Sequence, residues 1–491
     1  MWYLANGQWI RRFRRFARPD ARFTIEDSMG ATSELHQGLS QRQLTMIAIG
    51  GVIGAGFFVG SGVVIRTAGP AAVLTYVLCG VLVVLVMRML GEMATANPST
   101  GSFADYARDA LGGWAGFSVG WLYWYYWVIV VGFEAVAGAK VVNYWVHAPL
   151  WLVSLILMLT MTATNLYSVS SFGEFEFWFA GIKVATIVIF LGLGTIFVLG
   201  LWPGRHRDFS NLSSHHGFFP NGVGAVFTAI VVVIFSMVGA EVATIAASET
   251  PDPERAIRRA TNAVAARIAI FFVGSVFLLV VIQPWDSVES GASPFVAAFK
   301  HMGLRGADDI MNAIVLTAVL SCLNSGLYTS SRMLFVLAGR GEGPARLMNV
   351  SRRGVPYVAI LCSSVVGFLC VIMSGIAPGT VFIFLLNSSG AIVLFVYLLI
   401  ALSQIVLRVK TPPEKLRVQM WFFPVLSIVT LVAIVAVLVQ MAFDRGARVQ
   451  FWLGLLSWAV VVALYFVGKW RRGRAAAEGE PAPNVATRRK P

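Results

Sequence analysis

The sequence predicts an all-α polytopic membrane protein with roughly twelve transmembrane helices, and three observations predict it. Apolar residues make up 57% of the 491-residue chain and charged residues 13%, against about 45–50% apolar in soluble domains. The apolar residues gather into runs long enough to cross the hydrocarbon of a bilayer, about 20 residues each. The cations are sorted unequally between alternate connecting segments.

The runs lie near 43–66, 70–92, 114–145, 150–169, 175–199, 222–248, 264–285, 308–335, 357–376, 379–407, 421–443 and 449–468. Backbone exposed to lipid has no water to bond, so each run is read as a helix that satisfies its own amides and carbonyls. With the N-terminus inside, the inner connections carry Arg255, Arg258, Arg259, Arg267, Arg340, Arg346, Arg352, Arg353, Arg408, Lys410, Lys415 and Arg417, and the tail adds Lys469, Arg471, Arg472 and Arg474. The outer connections carry fewer: Arg66, Arg205, Arg207, Lys300, Arg305, Arg445 and Arg448. This positive-inside bias places both termini in the cytoplasm. The net charge of +14 is therefore a topology signal and calls for no nucleic-acid partner.

Residues 1–34 are expected to be a basic, disordered cytoplasmic arm that touches anionic lipid. Its arginines, from Arg11 to Arg22, follow too short an apolar stretch for a signal peptide. Helices 1–5 fall in 35–200, helices 6–10 in 201–410, helices 11–12 in 411–470, and a basic tail in 471–491. Cys79, Cys322, Cys362 and Cys370 lie inside apolar runs without a CxxC pair and are read as free, buried thiols. No metal or cofactor is expected.

Two runs are interrupted. In the first, Gly50, Gly51, Gly54 and Gly56 fall within one short stretch, where each glycine costs about 1 kcal/mol relative to alanine in a helix. In the sixth, Gly239 and Glu241 lie deep in the span after Phe235-Ser236-Met237-Val238. First and sixth are corresponding positions in two five-helix halves, where inverted-repeat transporters place their breaks. The outer half of the first span would begin near Phe57 with unpaired amides, which attract an anion. The outer half of the sixth would end near Ser236 with unpaired carbonyls, which attract a cation. Ile53, Gly54, Ala55 and Gly56 facing Phe235, Ser236, Met237, Val238 and Gly239 would thus hold a zwitterion. The competing reading is that these glycines only allow close helix packing; for Gly239 alone it is at least as good.

With these residues in view, the chain resembles the amino acid permeases of the amino acid–polyamine–organocation superfamily. Ala68-Gly69-Pro70 is followed by an apolar span, then Gly91-Glu92 and Pro98, and the Gly54-Ala55-Gly56 and Glu241 segments match as well. Glu241–Glu249, Ser321–Leu334 and Ser388–Ile392 resemble the 4-aminobutyrate (GABA) permeases most. The resemblance implies a LeuT-like 5+5 inverted repeat with two extra helices, in the inner membrane. It further implies proton symport of a small amino acid, with helices 1, 2, 6 and 7 moving against 3, 4, 8 and 9. Met237 departs from a common Phe, and Gln43 after Arg42 from a common His.

Ionisable groups inside a span cost at least about 2.5–3.5 kcal/mol each, so they are functional candidates. Lys183, in the fifth span, resembles a proton-coupling residue; snorkelling to the interface is the bland alternative. Glu134, in the third, can meet a substrate ammonium, take up a proton, or serve as a structural hydrogen-bonding acid. Glu241 is read as a gating residue or a local helix cap, and Phe235 as an aromatic lid. Ser321 and Asn324 offer polar groups on the eighth span near Lys183. Arg88 and Glu92, four apart, are read as a structural pair. Trp121, Tyr123, Trp124, Tyr125, Tyr126 and Trp127 crowd the third span and cannot all face one cavity.

Two readings from other classes compete. A membrane enzyme would need a motif such as HExxH, a phosphate loop or a nucleophile constellation, and none is found. A transporter-derived amino acid sensor would usually carry a sizeable soluble output domain. Transport of another amino acid, or exchange, stays open within the transporter class.

Overall fold

The computed structural model describes residue 46 and residues 53–99, 102–167, 169–242, 244, 253–289, 292–304 and 306–477. The basic arm 1–34, Arg42, Gln43, Gly50, Gly51, Glu249 and the end of the tail lie outside the described residues. Among those described there is no strand, as expected of backbone that must satisfy itself in hydrocarbon.

Helices α1 (Ala55–Phe58) and α2 (Gly60–Ala68) form the described part of the first span, separated by one turn residue, Val59. The chain then reverses through Gly69–Ala71 into α3 (Ala72–Ala96). Gly69 has φ +65°, and a Cβ there would lie 2.3 Å from the ring of Pro220, so only glycine fits this reversal. There follow α4 (Ser102–Leu111), α5 (Gly113–Val142), α6 (Leu150–Tyr167), α7 (Val169–Val198), α8 (Gly224–Thr228) and α9 (Ile230–Met237). Next, α10 (Pro253–Arg267) continues through a π-helical stretch, Ile268–Gly274, into α11 (Ser275–Ile282). The last elements are α12 (Pro294–His301), α13 (Ala307–Gly339), α14 (Tyr357–Ile376), α15 (Pro378–Lys410), α16 (Val425–Phe443) and α17 (Arg448–Ala477).

Ten of these helical stretches are long and apolar enough to cross a membrane, so the chain is a multi-pass membrane protein. The difference from the twelve runs has two sources. The stretch Ala55–Ala96 covers two runs, and Gly224–Met237 is a shorter apolar helix because the chain leaves helical geometry at Val238.

Helix α5 is the hub of the bundle: it packs most closely on α13 and also meets α4, α6, α14, α15 and α17. In its most apolar stretch 83% is buried inside the protein, against 6% in α17, whose apolar face is left for lipid. Cys79, Cys322 and Cys370 are free and buried; Cys362, expected to be buried too, is exposed on α14.

One polar node ties α3 to α15 and to the chain before α16. Glu92, 1% exposed, accepts from Gln404 Nε2 (2.8 Å), Arg408 Nη1 (2.9 Å) and the Met420 amide (2.6 Å). Arg88 instead donates to the Gln419 carbonyl and Asn262 Oδ1 and stacks on Trp421. The expected Arg88–Glu92 pairing is corrected accordingly: tertiary partners outcompete a pair worth only tenths of a kcal/mol on a helix surface. Glu92→Ala strands a guanidinium, an amide side chain and a backbone N–H. We expect a loss of about 3 kcal/mol, read as a lowered Tm of the solubilised protein with its fold retained.

Candidate functional site

The break in the sixth span is an unwinding. Helix α9 ends at Met237, and Val238 is extended (φ −68°, ψ 149°). Gly239 has φ +115°, where a side chain is strained, which decides against a packing-only role. The last carbonyls of α9 thus lack continuing helical amides. One of them is taken locally, the Val238 amide donating to the Phe235 carbonyl at 3.4 Å, while the Ser236 hydroxyl turns back to the Val233 carbonyl at 2.7 Å.

Opposite it, α1 starts at Ala55 after the extended Gly54. The amide at this start has a partner: Ala55 N donates to both carboxylate oxygens of Glu134, each at 3.2 Å. Glu134 is 1% exposed on α5. The first-span amide that the sequence reading gave to a substrate carboxylate therefore holds a side-chain carboxylate of this protein. The geometry is that of an anion at a helix start.

Between this helix start and the end of α9 lies a cavity of ≈ 10 Å³, about what one water needs. It is lined by Gly54, Gly56, Glu134, Phe235, Ser236 and Val238 of the expected residues, together with Tyr126, Trp127, Val130 and Cys322. The site is contracted around close contacts. A Cβ on Gly54 would lie 2.6 Å from Glu134 Oε1 and 2.8 Å from Cys322 Cβ. One on Gly56 would lie 2.7 Å from the Phe235 ring. Phe235 in turn packs edge-on against Phe133, with ring centroids 5.1 Å apart. Of the aromatic run on α5, Tyr126 and Trp127 reach this cavity, while Trp121 and Trp124 pack edge-on against each other.

Ile53, Ala55, Met237 and Gly239 do not line the cavity. Met237, expected beside the substrate, is turned towards α3, its methyl group approaching the position of Gly80. Successive helical residues point about 100° apart, so a residue next to the inward-facing Ser236 looks elsewhere.

Lys183 is fully buried on α7, which excludes snorkelling. Its Nζ donates to Ser321 Oγ (2.7 Å), and Ser321 Oγ donates to Glu176 Oε1 (2.6 Å). Lys183 Nζ and Glu176 Oε1 are 3.8 Å apart, and neither side chain is exposed. Ser321 is thus brought to Lys183 as expected. Asn324 is not: it accepts from Asn165 of α6 at 2.7 Å. The sequence reading does not single out Glu176. Its signal is the spacing, since seven residues are two helical turns and place 176 and 183 on one face.

Glu241 folds back on the break. Both its oxygens accept from the Gly239 amide at 3.1 Å, and Oε1 accepts from Tyr123 of α5 at 3.3 Å. Thr244 meets Ser102 of α4 at 2.8 Å. These contacts fasten the chain beyond the break to α4 and α5. A wider cleft of ≈ 450 Å³, lined by Val59, Lys140, Tyr144, Glu289, Lys300 and Asn312 among others, opens beyond α2.

A helix start at Ala55 and a helix end at Met237 meet at one small polar-edged cavity in a multi-pass bundle, an arrangement suited to a membrane transport protein. The chain belongs to the amino acid permease family, whose sequence profile it matches over residues 43–478. It is 51% identical over 454 residues to a gamma-aminobutyric acid permease of Bacillus subtilis (strain 168), covering 91% of this chain and 97% of the relative. It is 43% identical to a gamma-aminobutyric acid permease of Escherichia coli (strain K12), covering 90% and 97%. It is 40% identical to the aromatic amino acid transport protein AroP of Corynebacterium glutamicum, covering 88% and 95%. These relatives are transporters and not enzymes, and amino acid transport is the activity of this chain at that level.

Proposed function

We propose that the chain is a secondary active importer that moves 4-aminobutyrate, or a similar small amino acid, together with a proton. It works by alternating access in a twelve-helix, five-plus-five inverted repeat, with the first and sixth helices discontinuous and two helices added. It sits in an inner (plasma) membrane with both termini cytoplasmic, divided into arm, two repeats, two final helices and tail as laid out above. The observation that carries the reading is the pairing of a helix start at Ala55 with a helix end at Met237 around one small cavity.

In this reading the substrate carboxylate takes the amides around Gly54, Ala55 and Gly56, displacing Glu134. Its ammonium meets the carbonyls around Phe235, Ser236 and Val238 and the released Glu134 carboxylate. The contracted cavity must widen by movement of Glu134 and Phe235, so substrate entry and the freeing of Glu134 are one event. Lys183 exchanges the coupled proton, and Glu241 with Thr244 holds the inner side closed. The cleft beyond α2 is the outer approach. The relatives named for gamma-aminobutyric acid favour a short substrate over an aromatic one.

The test is uptake into proteoliposomes under an imposed inward proton gradient, with labelled 4-aminobutyrate competed by a panel of amino acids. We expect gradient-driven accumulation that a protonophore collapses and that ω-amino acids compete best. Preferential competition by an aromatic or other α-amino acid would overturn the substrate. Accumulation indifferent to the protonophore would overturn the coupling.

A further inference from the structure

Glu176 is a carboxylate with no exposure, on the apolar helix α7, in a setting where an unneeded charge is selected against by several kcal/mol. Among the described residues its Oε2 has no hydrogen-bond partner. Its Oε1 accepts from Ser321, which accepts from Lys183. The three groups form a continuous hydrogen-bonded chain, ammonium donating to hydroxyl and hydroxyl to carboxylate, with short links at both steps. Lysine side chains on a helix lean towards its N-terminus, so Lys183 leans towards Glu176, two turns back on α7. In the proposed topology that direction is the cytoplasmic one. Cys322 and Glu134 also act on Lys183, and they lie on the side of the cavity.

We propose that Glu176 is the release-side proton acceptor of the coupling site, with Ser321 as the relay from Lys183; this rests on the reading of Lys183 as the coupling residue. In the transfer, an Nζ–H bond of Lys183 breaks as its proton bonds to Ser321 Oγ. The Ser321 Oγ–H bond breaks as that proton bonds to Glu176 Oε1. An ion pair becomes a neutral amine and a neutral acid, with the serine unchanged and no net change in charge. Loss of the Glu176 proton to cytoplasmic water, and reprotonation of Lys183 from the substrate side, complete one inward proton transfer. The unpartnered Oε2 leaves one oxygen of the carboxyl group without a donor among the described residues, so the group is free to turn and pass the proton on. Removing one charge from a buried ion pair is strongly destabilising; the internal transfer neutralises both partners together, so Lys183 gives up its proton in that step without leaving a bare charge behind.

The experiment compares the full-length wild type with Glu176→Gln, Ser321→Ala, Ser321→Thr and Lys183→Ala in proteoliposomes. Three readouts are taken with 4-aminobutyrate: accumulation under a proton gradient, external alkalinisation during substrate entry, and counterflow exchange without a gradient. Glu176→Gln is expected to lower accumulation by about tenfold or more and to lose alkalinisation, with counterflow kept within about threefold. Ser321→Ala should fall between, and Ser321→Thr, which keeps the hydroxyl, should recover most of the wild-type coupling. Wild-type accumulation and alkalinisation in Glu176→Gln would remove Glu176 from the path while leaving Lys183 in place. Equal loss of counterflow and accumulation in Glu176→Gln, with normal insertion, would make it a structural residue and overturn the relay. Normal accumulation in Lys183→Ala would overturn the coupling reading, and the relay with it.

Discussion

Gly56→Leu is expected to abolish saturable uptake while leaving the protein inserted. The position faces the Phe235 ring at 2.7 Å and the Ser236 Cα at 3.3 Å from a notional Cβ. A leucine there fills the cavity and pushes directly on the sixth-span break. Overpacking of this kind costs about 1–3 kcal/mol, and the substrate must additionally compete with the new side chain. An apparent affinity about 100-fold weaker is expected, read by equilibrium binding of labelled substrate to purified protein. Wild-type affinity in Gly56→Leu would move the substrate away from the two breaks and remove the pocket assignment. Gly54→Ala is a milder companion, since its methyl group meets the Glu134 carboxylate that already holds the Ala55 amide.

Lys183→Ala is expected to separate transport from its driving force. The ammonium lies in a fully buried network with Ser321 and Glu176; Lys183 does not itself line the cavity, although the lining residues Glu134 and Cys322 act on it electrostatically. Its removal therefore leaves the substrate contacts in place. Accumulation against a gradient should be lost and exchange of internal for external substrate should persist. Stability falls as well, because Glu176 is left as an uncompensated buried carboxylate, a loss of about 3–5 kcal/mol in soluble proteins. Exchange kinetics are accordingly compared at equal amounts of folded protein. Full proton-driven accumulation in Lys183→Ala at normal expression would end the coupling claim.

These two predictions rest on features that were visible to different degrees in the sequence. The sixth-span break was legible because its cause is local, Gly239 with a carboxylate two residues on; in the first span Gly50 and Gly51 lie outside the described residues, and what is seen is a helix start at Ala55. Lys183, Glu134 and Glu241 stood out because charge inside an apolar run is costly wherever it sits. Helices α4 and α12 were not legible. Both are short, and α4 carries too many polar residues to register as a membrane run.

Partnerships were harder to read. Glu134 and Ala55 are 79 residues apart in sequence, and nothing in either segment says that the carboxylate closes on that amide. Glu92 had a plausible partner four residues away, yet it bonds to residues more than 300 positions distant. Met237 was assigned to the cavity by its neighbours in the chain and turned out to face α3.

The sequence by itself determined that the chain crosses a membrane as helices, that the sixth span is interrupted, and which buried charges need an explanation. Each follows from an interaction of short range along the chain, since a helix in hydrocarbon bonds residue to residue four apart and every interruption shows in its own residues. Only the tertiary structure decided what those charges touch. Whether Lys183 meets Glu176 through Ser321, or Glu134 meets Ala55, depends on the depth and rotation of α5, α7 and α13 against α1, and those are set by side-chain packing between helices that lie far apart in the chain.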